Sequence, residues 1–344
     1  MRALLAFRFG AAAATCLAAC AATAQDWAPT SIPTTETMRS VHFVSDDVGW
    51  AAGYAGVVMR TVNGATDWTL QNSETTQQRI LAVRFVDADN GWLAAGRHVA
   101  RTVDGGADWI ALPIDGNANF FRNTIFPVSA AMAWAPATCG TCVQRWFYRY
   151  TIGAGGSVAE QTFDLIGSSA QFLDLHFVDI DNGWAVGTGG LVRRITAASS
   201  DTPGFAPQTS GVGAQLNAVF MLDADTGWIA GNTGTILATS NGGALWLPQL
   251  SGTLANLRDI HFRDAQNGWA VGEGGTILAT TNGGADWAPE DSGVSTTLWS
   301  VSAQSSVYAA GGDAANSANA VVLERAAPVD LLFGDGFEDP PAAG

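Results

Sequence analysis

The chain contains no lysine. All sixteen basic residues are arginine, they face 31 acids, and the formal net charge is −15. So acidic a composition argues against nucleic-acid binding and against docking on an anionic membrane, both of which rely on massed positive charge. Cysteine is scarce, at four residues. Cys16 and Cys20 fall near the N-terminus, which leaves Cys139 and Cys142 as Cys-Gly-Thr-Cys. No βαβ pattern surrounds that pair and no second ligand pair follows it. A structural disulfide between Cys139 and Cys142 is therefore expected, rather than a redox or zinc site. Long apolar runs are missing too: the N-terminal one is too short and too rich in glycine and alanine for a membrane helix.

Glycine and tryptophan, by contrast, are abundant, with 40 and 13 residues. The stretch Ile260 to Trp287 shows how they are used. Ile260-His261-Phe262 is a short apolar strand, and Asp264 to Gly268 is a turn in which Asn-Gly supplies positive φ. Trp269 opens a second strand, Gly272 to Gly275 a second turn, and Thr276 to Thr280 a third strand. Asn282-Gly283-Gly284 turns again, and Trp287 leads a fourth strand. Similar stretches end at Trp68, Trp109 and Trp246. Four strands with tight turns at a period of about forty residues describe one blade of a β-propeller.

The tryptophan of each Gly-Trp pair gives the register: Trp50, Trp92, Trp184, Trp228 and Trp269. The gap from Trp92 to Trp184 is doubled, and Trp134 falls inside it in a degenerate unit. A last unit appears at Val307-Tyr308. The expected fold is thus all-β, a seven-bladed propeller with four-stranded blades. The seventh unit has a second strand at Val307 to Ala310, a polar loop at Asp313 to Asn319 and a third strand at Ala320 to Arg325, but no fourth strand led by tryptophan. Asp26-Trp27-Ala28-Pro29 matches Asp286-Trp287-Ala288-Pro289. The N-terminal strand is therefore expected to complete the last blade, with Trp27 as the latch.

Residues 1–24 read as a signal peptide: Arg2 and Arg8 flank a short apolar stretch, and Ala22-Thr23-Ala24 is a cleavage site before Gln25. An exported protein, periplasmic or secreted, is expected. The alternative is a lipoprotein anchored through Cys20, since Leu17-Ala18-Ala19-Cys20 resembles a lipobox. The propeller spans 25–328, and 329–344 is an acidic tail rich in proline, glycine and alanine.

Several clusters invite a site and have a plainer explanation. Asp87 and Asp89, Asp179 and Asp181, and Asp223 and Asp225 lack the ligand-bearing glutamate of a calcium loop and read as turns. His42, His176 and His261 share one slot before a phenylalanine in three units. They are expected as partly buried inner-strand residues spread around the axis, too far apart to share a metal. No cofactor or metal is implied.

The third turn is the most specific motif. Thr61-Val-Asn63-Gly-Ala-Thr-Asp-Trp68 is repeated with Asp104 and Trp109, with Asn241 and Trp246, and with Asn282 and Trp287. These resemble Asp-boxes, a hairpin signature of several propeller families including sialidases. The likeness implies structural turns: the Asn or Asp caps the turn, and the tryptophan packs over the hairpin. The full repeat, best at Phe262 to Trp287, resembles the photosystem II stability and assembly factor family over nearly all of Trp27 to Arg325. That resemblance implies a seven-bladed, exported, non-enzymatic scaffold that holds a membrane-protein partner. The family's partner surface includes an arginine patch, whereas this chain is acidic with arginines scattered along the sequence. A monomer binding a protein or envelope partner is expected. The alternative is an Asp-box glycoside hydrolase, sialidase-like, or a glycan-binding protein. Tyrosines are limited to Tyr54, Tyr148, Tyr150 and Tyr308, and no early arginine motif of a sialidase is present. A carboxylate pair for glycoside hydrolysis could be drawn from the many acids.

Overall fold

The computed structural model describes residues 27–73, 78–112, 120–139, 146–164, 171–313 and 316–325. The signal segment 1–24, Cys20, Cys142 and the tail 329–344 lie outside the described residues. Among the described residues the strands form seven antiparallel sheets, the blades of the expected propeller. Blade six shows the plan. Leu257–Phe262, Gly268–Gly272, Ile277–Thr280 and Ala288–Glu290 pair in that order from the axis outward. No helix among the described residues is long and apolar enough to cross a membrane.

The second strands Gly49–Gly53, Gly91–Ala95, Gly183–Gly187 and Gly268–Gly272 are buried at every residue. A neighbouring blade covers each face, so they are apolar throughout instead of alternating. Stacked aromatics join the blades. The Phe262 ring lies 3.5 Å from that of Trp228 in blade five, nearly parallel, and Trp287 meets it edge-on at 5.8 Å. Phe85 is held in the same way between Trp50 and Trp109. In blade seven Tyr308 takes the tryptophan's place, stacking on Phe43 at 3.8 Å. The glycine before Trp269 is demanded by space, because a Cβ on Gly268 would sit 2.5 Å from the Phe262 ring.

Two blades differ from the plan. In blade three the inner position is split, with Phe120–Arg122 and Phe126–Ser129 both pairing with Met132–Cys139. In blade seven the strands are longer than the sequence suggests. Val307–Asp313 pairs with Asn316–Arg325, and Asp313 lies opposite Asn316, so most of the expected polar loop is strand. The fourth strand of blade seven is Ala28–Pro29, with Ala28 opposite Glu324 and Pro29 opposite Leu323. The N-terminal strand closes the ring.

Candidate binding face

The third turns are self-contained. In blade six Thr280 Oγ1 donates to Asn282 Oδ1 (2.9 Å) and accepts from the Gly284 N–H (2.9 Å), while the Asp286 N–H donates to Asn282 Oδ1 (2.9 Å). Asn63, Asp104 and Asn241 occupy the same place in matching sets. What these turns offer outward is a glycine carbonyl. It accepts the indole N–H of the preceding blade, Trp50 to Gly105 (2.8 Å), Trp184 to Gly242 (3.0 Å) and Trp228 to Gly283 (3.1 Å). Trp246 and Trp287 donate to Gln208 and Gln249, at the end of the previous blade. Trp68 and Trp109 are buried in the same position, with no partner for their N–H among the described residues. The turns are clasps between blades.

Trp27 fills the corresponding position in blade seven. It is fully buried and donates to Glu290 Oε2 at 2.8 Å, and Arg325 holds the other oxygen of Glu290 at 3.0 Å. Asp179 accepts the Asp181 and Asn182 N–H groups (both 2.8 Å), and Asp87 and Asp223 make the same local turns. Cys139 ends a strand of blade three, and its expected partner Cys142 is outside the described residues.

The feature with most chemistry is one that the sequence does not announce. The inner strands of blades one, four, five, six and seven each shift register at one residue: Arg39, Leu173, Asn217, Arg258 and Trp299. A bulge inserts one residue and re-aims its side chain, and here all five line the mouth of the axial channel, a cavity of about 320 Å³. Blades six, seven and one thereby place Arg258, Trp299 and Arg39 side by side. Arg39 Cζ lies 3.5 Å from the centre of the Trp299 ring and Arg258 Cζ lies 5.1 Å from it, a cation–π pair. Arg79 lies over Tyr54 at 4.6 Å and Arg97 over Phe121 at 5.0 Å. With Arg39 these line an adjoining hollow of about 740 Å³. Arg258 is paired with Glu273. No carboxylate of the described residues pairs with Arg39, Arg79 or Arg97. Burial, and then the crowding of Arg258 and Arg79 against the opposing pull of Tyr54, lowers the Arg39 guanidinium to about 10. It stays charged at neutral pH. Arginines scattered in the sequence are therefore gathered on one face.

Below the mouth the channel narrows to a cavity of about 50 Å³ lined by His42, Arg84, Phe126, His176, Phe220 and His261. The histidines lie on separate inner strands, as expected, but closer to one another than an open ring suggests: Phe220 lies between His176 and His261, its ring tilted to both, at 4.9 and 4.5 Å. Burial first, and Arg84 second, presses His42 and His176 down to about 3, so both are neutral at ordinary pH. Among the described residues no group of three His, Cys, Asp or Glu side chains could hold a metal ion. Asp174 and Asp259 line both cavities. Burial, then Asp259, raises Asp174 to about 7. Each accepts a backbone N–H of the following blade, Asp174 from Val219 (3.0 Å) and Asp259 from Val301 (2.9 Å).

Over residues 19–119 and 206–287, just over half of the chain, the sequence matches the family described as Photosynthesis system II assembly factor YCF48. The chain belongs to the YCF48 family. Among solved structures it is similar to YCF48 bound to D1 peptide, with 18% identity and a TM-score of 0.69, covering 88% of this chain and 97% of that one. It is as similar to YCF48 from Cyanidioschyzon merolae, with 18% identity, a TM-score of 0.69 and coverage of 88% and 99%. Virginiamycin B lyase from Staphylococcus aureus matches at 12% identity and a TM-score of 0.67, covering 87% and 98%. Likenesses at such identities concern the propeller alone, which YCF48 shares with a lyase. None of the curated proteins matches the chain.

Proposed function

We propose that this protein is a non-enzymatic propeller that holds a protein partner by an acidic segment, seated on the face built from Arg39, Arg79, Arg97 and Arg258. The observation that supports this most is the gathering of those arginines over aromatic rings in a chain of net charge −15. Arginine binds carboxylate in two-point fashion, and its stacking on a ring pre-orders the fork. YCF48 carrying a D1 peptide is in keeping with such a use. The reading includes export as a monomer, with Gln25 as the first mature residue. The N-terminal mass of the exported chain tests that location against a lipidated Cys20. The test of function is capture of the partner from an envelope fraction, followed by titration of peptides tiling its acidic segments. Arg39→Glu with Arg79→Glu should weaken the best peptide at least tenfold and flatten its salt dependence. Unchanged binding would remove the proposal.

A glycoside hydrolase is the second reading, favoured by Asp174 and Asp259 facing one cavity, both carboxyls raised by burial. Against it, each carboxyl already accepts backbone N–H bonds across a blade seam. Turnover of a polysaccharide that disappears in Asp174→Asn would establish it.

A further inference from the structure

Blade five departs from its sister blades at exposed positions. Leu245 stands where Asp67, Asp108 and Asp286 stand in the other third turns, Leu247 where Thr69, Ile110 and Ala288 stand, and Leu250 where Asn72 and Asp291 stand. The three leucines are 54%, 57% and 90% exposed. They line one groove of about 550 Å³, between the outer strand Leu247–Gln249 and the third turn of blade six at Gly283 to Ala285. A single exposed leucine means nothing, but three of them around one groove mark a surface built to be covered.

We propose that the chain's own C-terminal segment, with Leu331, Leu332, Phe333 and Phe337 as anchors, lies in this groove. The place where the propeller ends points to that occupant. Arg325 is opposite Val307, just as Thr239 is opposite Gly227 and Thr280 opposite Gly268. Arg325 thus holds the position at which blades five and six open their third turns, and the chain leaves the propeller on the face that carries the groove. It leaves beside blade six, where Glu290 pairs with Arg325. From there Leu331 can reach about 20 Å and Phe337 about 40 Å at 3.3–3.6 Å per residue. The groove, between blades five and six, is one blade away.

The test uses the full chain, with intact mass confirming residues 326–344. Backbone hydrogen exchange is compared with that of the variant carrying Leu331→Asp, Leu332→Asp and Phe333→Asp. These changes lie outside the paired strands of the propeller. The proposal expects the amides of residues 245–250 to exchange at least tenfold more slowly in the unaltered chain, at any protein concentration. Leu250→Asp, on the groove side, should abolish the difference with the melting temperature unchanged. A photo-crosslinker in place of Phe333 should attach to residues 245–250 of the same molecule. Equal exchange, protection that grows with concentration, or attachment elsewhere would each overturn it.

Discussion

Blades six and three are both antiparallel sheets of one ring and are fastened to their neighbours by different chemistry. At the seam from blade five to six, the Trp228 indole meets the Gly283 carbonyl, and Gln249 bridges that carbonyl and Trp287. At the seam from blade three to four there is no such glycine turn, and among the described residues the Trp134 N–H has no partner. Arg149, opposite Trp134 in the sheet, instead sends Nη1 to the carbonyls of Ala198 (2.7 Å) and Ser200 (2.6 Å). Arg122, also buried in blade three, donates to the Tyr150 hydroxyl at 2.7 Å. The carbonyls between blades have to be met in either case. A glycine turn lets a neutral indole meet them, and where the turn is lost a charged group is desolvated to do it. The seam from blade six to seven repeats the lesson: among the described residues Trp269 has no partner for its N–H, and Arg325 appears, paired with Glu290.

The largest expected effect tests the closing seam. Trp27→Ala should cost about 3–5 kcal/mol, as for other buried tryptophans, and no less than Trp287→Ala. Urea unfolding would measure both, and an unmoved midpoint for Trp27→Ala would mean that the ring is held by other contacts. Next, Arg149→Met takes the donor from the buried Ala198 carbonyl and the part-buried Ser200 carbonyl and should cost about 2–4 kcal/mol. Arg194→Met, which loses stacking on Trp184 at 3.8 Å, a bond to Asn182 and a long, exposed one (3.3 Å) to the Ala224 carbonyl of the next blade, should cost about 1 kcal/mol. Equal losses would erase the distinction between the two fastenings. Smaller again is Gly284→Ala. Both Gly284 (φ 87°) and Gly155 in blade three (φ 69°) adopt a left-handed conformation, but only at Gly284 would a Cβ meet a neighbour, Gln249 Oε1 at 2.1 Å. Gly155→Ala should cost about 1 kcal/mol and Gly284→Ala roughly twice that, with Gln249→Ala restoring part of the difference.

The smallest net effect is on pH, because the channel's groups oppose one another. His42 and His176 have folded values below the unfolded one, so the unfolded chain binds more protons between about 6.5 and 3. Their contribution falls as pH drops through that window. Asp174 is raised, so the folded chain holds the extra proton between about 3.8 and 7. Its contribution falls as pH rises. Asp174→Asn keeps an oxygen for the Val219 N–H and removes the second trend alone. Its melting temperature should exceed the parent's at pH 8, with the gap closing by pH 4. A gap that is constant with pH would show that Asp174 is solvated through the channel.

The sequence disclosed the blades and the latch because both are written in side-chain identity at a fixed period. Phe262 and Trp269 recur with their counterparts in register, and Trp27 matches Trp287. The arginine face was hidden for two reasons. Arg39 and Arg258 reach the mouth only through bulges, which the two-residue alternation of a strand does not announce. They are also more than two hundred residues apart in sequence and meet only when the ring closes. The closeness of His176 to His261 was hidden because it depends on the width of the axis, filled here by Phe220.

Closure by the first strand also orders events in time. Trp27 and Glu290 are 263 residues apart, and contacts of such separation form late, since much of the chain must be placed before they stabilise anything. The strand synthesised first is thus the last to find its place. A chain cut short before Arg325 has nowhere to put Ala28 and Pro29, however well its other blades have formed. Its incompleteness is then displayed at the opposite terminus, as an unpaired apolar segment open to proteases and chaperones. The ring therefore carries its own proof of completeness, made at one end of the molecule and shown at the other.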